Sequence, residues 1–336
     1  MRIGASLRRR RDDDRGVAAA MMTIALVALL GMSALVVDVG NAWQARRHVI
    51  TSTDAAALAA AKDYVQGNNG CAPGGTAEDY VVRNNADATM TNCTSVALNA
   101  TTPGRVTVDA EVDVDYIFAP ILGLTGTTVK SSTTASWALA GSVSSDLRPF
   151  GQCADLLDSS WIGDGSTHKI FYSKDTHPTA CNGYLNVPGN WGVVDFNFGS
   201  PSAQETRTWT EFGYTGPPPV EIGKWYPSGP GAPAPGILEQ KLKALKDDMT
   251  IFPLPVFDDC RNCAGNLLEY HLSGFVAVRI EDFDLNPPKG DEFRFLELEF
   301  YDLEILQGGG GGTVDLGTYV IGICAIDNTD VAANCG

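Results

Sequence analysis

Between Val17 and Val37 the chain carries no charged side chain and almost no polar one, which leaves it few ways to fold. At ~1.5 Å per residue, about 21 residues of helix span the ~30 Å hydrocarbon core of a bilayer. The run therefore predicts one membrane-crossing helix. Arg2, Arg8, Arg9, Arg10, Arg11 and Arg15 precede it, while the nearest basic residues beyond it are Arg46 and Arg47. That asymmetry predicts a cytoplasmic basic tail over residues 1–15 and puts everything after the span outside the cytoplasmic membrane. A cleaved signal peptide is the competing expectation. Its apolar region runs only about 7–15 residues before a small-residue cleavage site, and Ser33-Ala34-Leu35 matches such a site poorly.

No proline interrupts residues 17–66, and Ala, Leu and Met are strong helix formers, so the helix is expected to continue past Asp38 as an outward rod. Trp43 falls where an amphipathic ring suits the membrane interface, with Arg46 and Arg47 in reach of lipid phosphates. The small side chains from Ala55 to Ala61 would let a second helix approach closely, so a homo-oligomer through this face is one expectation and a partnerless stalk the other. Asp38 sits at the outer boundary, where a carboxylate either reaches water or pairs.

Gly16-Val17-Ala18-Ala19 opens this segment and Asp38-Val39-Gly40-Asn41 closes the span. Gln44-Ala45-Arg46-Arg47 and Ser52-Thr53-Asp54-Ala55-Ala56-Ala57-Leu58-Ala59-Ala60-Ala61 follow. In that order the phrases resemble the N-terminal module of the TadE/TadG-like proteins of the Tad (Flp) pilus-assembly system. The resemblance marks Gly16, Asp38, Gly40, Arg46, Arg47 and Asp54 as motif positions, and it extends through Phe118-Ala119-Pro120-Ile121-Leu122-Gly123 to about residue 141. It implies a single-pass, extracytoplasmic component of pilus assembly or anchoring, partnered by other pilus-assembly proteins or pilin, without a cofactor. Pilin-type processing would cut after Gly16 and leave a glutamate at the fifth following residue, which here is Met21. An uncleaved anchor is thus expected, with a processed minor pilin-like subunit as the alternative.

Acidic residues number 40 against 24 basic, for a net charge of −16, and much of the arginine is spent on the N-terminal flank. The outer part, more acidic still, is a poor partner for nucleic acid or an anionic surface. The eight cysteines, Cys71, Cys93, Cys153, Cys181, Cys260, Cys263, Cys324 and Cys335, all follow the span, which reads as disulfides on an oxidising side. Spacing suggests Cys71–Cys93, Cys153–Cys181, Cys260–Cys263 and Cys324–Cys335 among many combinatorial pairings.

The fold class is α+β: the helix and family module over residues 16–65, a small α+β region over 66–141, and a mainly-β, disulfide-containing region over 142–336. In the first outer region a helix is expected from Ala77 to Ala88. Strict alternation from Val106 to Tyr116 predicts a half-buried strand, with a second from Thr127 to Ala140. Beyond it, Val193–Phe198 reads as strand-like and Gly216–Gly236 as a proline-rich loop. Leu238, Leu242 and Leu245 predict a short amphipathic helix. Strands are expected at Tyr270–Phe283, Glu292–Leu306 and Val314–Ile326, with the glycine run Gly308–Gly312 as a flexible connector.

Little here reads as catalytic. His48, His168, His177 and His271 are the only histidines, and no nucleophile elbow or zinc-protease motif occurs. Asp109, Glu111, Asp113 and Asp115 form an acidic ladder about 7 Å apart on one strand face. A calcium ion could bridge such a ladder, though an acidic solvated edge is the simpler reading. Cys260-Arg261-Asn262-Cys263 has redox-motif spacing, but proline-punctuated Phe252–Phe257 does not feed a thioredoxin-like helix. No enzyme is expected. A calcium- or glycan-binding adhesion module on the same anchor is the alternative of a different kind, and a thiol oxidoreductase the third.

Overall fold

The computed structural model describes residues 10–99, 102–171, 193–198, 202–229, 235–262, 267–285, 295–305, 308–327 and 329–330. Its first element, helix α1, runs unbroken over Arg10–Val65 for 56 residues, about 84 Å at ~1.5 Å each. The apolar window of its membrane-proximal half is 0% buried against the rest of the chain, as a lipid-facing segment would be. In the outer half Val49, Ser52, Thr53, Ala56, Ala57, Ala60 and Ala61 are all buried, recurring every three or four residues on one face. The C-terminal half of the helix is thus a core element of the folded body.

Helix α2 (Thr76–Asn84) turns back against α1 and ends four residues short of the expected Ala88. Strands β1 (Thr89–Val96), β2 (Gly104–Asp115) and β3 (Gly126–Val143) then form an antiparallel meander. The alternation seen in the sequence is the burial pattern of β2: Val106, Val108, Ala110, Val112 and Val114 face α1, with the acidic ladder on the other face. The small residues of α1 meet α2 and this sheet, so the face expected for a second helix is covered within the chain. The backbone passes so close over Ala60 that a side chain at Gly70 would lie 2.7 Å from its Cα. A disulfide joins Cys71 to Cys93, tying the α1–α2 connection to the edge strand β1.

The chain continues through β4 (Gln152–Cys153), β5 (Thr167–Phe171), α3 (Ala203–Phe212), β6 (Val220–Glu221), β7 (Trp225–Pro227) and α4 (Pro235–Asp247). Six more strands follow: β8 (Phe252–Arg261), β9 (Glu269–Asp284), β10 (Phe295–Tyr301), β11 (Leu303–Ile305), β12 (Gly308–Gly310) and β13 (Thr318–Ile326), with a short β14 (Thr329–Asp330). One sheet has the order β4-β8-β9-β10-β5, with β7 added on β9. Leu238, Leu242 and Leu245 of α4 pack on it as their spacing predicted, beside Val276, Val278 and Leu298. Pro253 and Pro255 lie in β8, whose other flank carries only the two-residue β4, so neither proline interrupts a full ladder.

The other sheet has the order β1-β2-β3-β13-β11, so a strand from the far end of the chain lies beside β3 and completes the surface on which α1 rests. Residue 141 lies inside β3, whose end adds Ala140 and Val143 to the core of the second sheet. The glycine run differs from expectation. Gly308, Gly309 and Gly310 form β12, paired with Val143, Ser142 and Ala140. The approach is tight: a Cβ at Gly310 would lie 2.8 Å from the Ala138 Cβ, and one at Gly312 would lie 2.7 Å from the Ala140 carbonyl oxygen. Glycine is there because two backbones nearly touch.

Candidate functional site

The residues marked in α1 act at successive heights along the helix. Asp38, one residue beyond the apolar run, is 3% exposed. Its Oδ1 accepts from the backbone N–H of Ile117 at 2.7 Å and its Oδ2 from that of Ala119 at 2.7 Å, while the Phe118 N–H reaches both oxygens at 3.2 Å. Those amides open the 3-10 turn Ala119–Leu122 between β2 and β3, and such N–H groups have no partner within the turn itself. A carboxylate from a distant helix thus caps the turn and leaves no lone charge at the boundary.

Two turns outward, Arg46 donates to Asp327 at 2.6 Å. Asp327 is itself locked to β3, because its Oδ1 accepts from the Ser132 N–H at 3.1 Å and its own N–H donates to the Ser132 carbonyl. Two turns further, Thr53 and Asp54 meet the same strand. The Thr133 hydroxyl donates to Asp54 Oδ1 at 2.7 Å and lies 2.9 Å from the Thr53 hydroxyl, with Ser131 at 3.2 Å on the other side. Burial pushes the Asp54 carboxyl above the usual carboxylate range, the Thr133 hydrogen bond opposes this, and the nearby Asp327 charge adds to it. At the outer end the Tyr64 ring stacks on Trp137 with centroids 5.3 Å apart.

Asp38, Arg46 and Asp54 are therefore brought onto one seam, along which α1 meets the β2–β3 turn, Asp327 just after β13, and β3 in that order. Gly16, Gly40 and Arg47 are not part of it: a Cβ at either glycine would meet nothing within 4 Å, and Arg47 is exposed with no ion pair among the described residues. An open groove lies beside the seam, lined by Val39, Ala42, Trp43 and Arg46 of α1 and by Tyr116 and Thr127–Lys130 of the hairpin. At its foot the hairpin turn exposes Ile117, Phe118, Ile121 and Leu124.

The other candidates stand apart from this seam. On the acidic ladder Asp109 accepts from Asn92, Glu111 pairs with Lys130 at 2.8 Å and Asp113 accepts from Thr128. Of these only Glu111 meets a cation, and no cluster of metal-ligating residues occurs among the described residues. His168 is held by Asp164 at 2.9 Å and stacked on Trp161, and His271 is held by Asp258 at 2.6 Å. The two lie on different strands, β5 and β9. Cys153, Cys260 and Cys324 are disulfide-bonded, and Cys181, Cys263, Cys335 and His177 lie outside the described residues. Cys260 lies within β8, not at a helix start.

Sequence reasoning singled out Phe118 and Ala119 only as part of a resembling phrase, not as partners of Asp38, and it missed Ile117, Ser131, Thr133 and Asp327, which are ordinary in sequence and acquire their role only through pairing. Against known proteins, residues 16–63 match the family model described as "Putative Flp pilus-assembly TadE/G-like". No curated protein and no solved structure matches the chain.

Proposed function

We propose, from the pilus-assembly match of residues 16–63, that this chain is a single-pass component of the cytoplasmic membrane serving the assembly or anchoring of a Flp (Tad) pilus. Its basic tail faces the cytoplasm and its two-sheet body faces outward, the orientation that the arginine asymmetry favours. One observation carries the reading. The helix with the family's residues runs without a break from the apolar segment into the core of the outer body, and Asp38, Arg46 and Asp54 fasten it there. A chain built this way holds its outer surface at a set height above the bilayer, as a fixed station on a filament's path requires. Binding, without turnover, is the proposed work, with another pilus-assembly protein or pilin as partner.

The test uses the native membrane protein: intact mass, N-terminal sequence, labelling of reduced cysteines from each side, and cross-linking from the outer face. The expected result is an intact N-terminus, thiols reached only from outside and cross-links to pilus proteins. A new N-terminus at Val17 would replace this reading with that of a processed subunit in the filament. Unchanged piliation on deletion, with no pilus protein cross-linked, would overturn it.

A further inference from the structure

The turn between β2 and β3 lies where the outer body meets the membrane. Contacts along α1 descend in step with β3: Tyr64 with Trp137, Thr53 with Thr133, Asp38 with Ile117–Ala119. From Asp54 to Asp38 the helix drops about 24 Å at ~1.5 Å per residue. From Thr133 to Gly126 the strand drops about 23 Å at ~3.3 Å per residue. The turn that follows therefore sits level with Asp38, which adjoins the last apolar residue of the span, Val37.

Three features of this turn suit it to lipid. Ile117 is 62%, Phe118 41%, Ile121 86% and Leu124 58% exposed, a contiguous apolar tip on an otherwise acidic body. No charged residue occurs from Tyr116 to Val129 in a chain of net charge −16, so its transfer from water carries no cost of burying a charged side chain of its own. Seven of its backbone N–H groups are also satisfied within the chain, which lowers the cost of approaching hydrocarbon. The N–H groups of Tyr116, Ile121, Gly123 and Leu124 donate to Thr125, Phe118, Pro120 and Ala119 carbonyls, those of Ile117, Phe118 and Ala119 to Asp38, and Pro120 has none.

We propose that this turn is a second membrane contact: its Ile117, Phe118, Ile121 and Leu124 side chains insert into the outer leaflet beside α1, with Asp38 as the pin that holds the turn at that depth. The proposal rests on the reading that α1 spans the membrane. Together the helix and the wedge give two points of attachment, which fix rotation of the outer body about the helix axis as well as its height.

Spin labelling of the full chain in nanodiscs tests it. No described cysteine is free, so a cysteine introduced for Ile121, Leu124, Val27 or Thr94 can be labelled selectively once the unsubstituted protein is shown to take no label. The expected result is that labels at Ile121 and Leu124, like that at Val27 in the span, collide more with oxygen than with a water-soluble nickel complex. The label at exposed Thr94 should show the reverse. Nickel-favoured collisions at Ile121 and Leu124 with an oxygen-favoured Val27 would overturn the wedge and leave the anchor standing. Nickel-favoured collisions at Val27 would sink both. Shielding of Ile121 from both reagents would put protein over the tip, such as a second copy, and would also overturn the proposal.

Discussion

Asp38 places a carboxylate where a membrane helix meets water, and three backbone N–H groups converge on it. Replacing it with alanine leaves the amides of Ile117, Phe118 and Ala119 without an acceptor while the cores on either side stay packed. Hydrogen exchange should accelerate at those three amides and remain slow in β2 and β3; unchanged exchange at 117–119 would show that the cap does not hold the turn. At Asp54 the balance differs, because burial has raised its native pKa. A carboxyl that holds its proton more tightly folded than unfolded gives the folded state its greatest advantage at low pH. That advantage is lost as pH rises from the ordinary aspartate value through the raised native one. Asp54→Asn should flatten this part of a denaturation-versus-pH curve. Thr133→Val should steepen it and cost about 1–3 kcal/mol at neutral pH, having removed the one donor the acid faces. At this scale the sequence is half legible. It marks Asp38 by its place at the edge of the span and Asp54 only as a position of the resembling motif, and it does not show that their partners are backbone amides and a threonine, which pairing brings near.

Elements were legible where a side-chain period exists. Strict alternation located β2 to within two residues at its start, and three leucines located α4, because burial on one face imposes a pattern. Polar Thr89–Val96 has no such pattern, yet it forms β1, held by its neighbour and by the Cys71–Cys93 bond. That bond closes a sequence separation of 22, worth about 3 kcal/mol by chain entropy. Urea unfolding of the Cys71→Ser/Cys93→Ser pair should show a loss near that size, with β1 the first strand to exchange. Helix α3 carried an unread signal, the capping box formed by Ser202 and Glu205. The glycine strand β12 could not be read at all, since five residues without side chains have no period. There the backbone approach makes the prediction: Gly312→Ala, meeting the Ala140 carbonyl, should cost about 1–3 kcal/mol in chemical denaturation. A neutral result would show that the two backbones can part to admit a methyl group.

On the scale of the whole molecule, the ends of the chain depend on each other. β13 lies between β3 and β11, and its Ile321 is buried in the core that receives α1. Ile321→Ala should cost about 2–5 kcal/mol and loosen α1 and β2 together with the C-terminal strands, in one transition by circular dichroism and exchange. Separate transitions would show that the outer body is two independent units. The boundary expected near residue 141 rests on a change of composition, and composition carries no sign that β13 pairs with β3. The unbroken α1 has a further consequence. Fastened by Asp38, Arg46 and Asp54, it is held against bending at its exit, so in a bilayer thinner than the span its way to shorten is to lean as one piece. The body would lean with it like a mast stepped in a hull, so bilayer thickness alone would change the pitch of whatever surface it offers its neighbours.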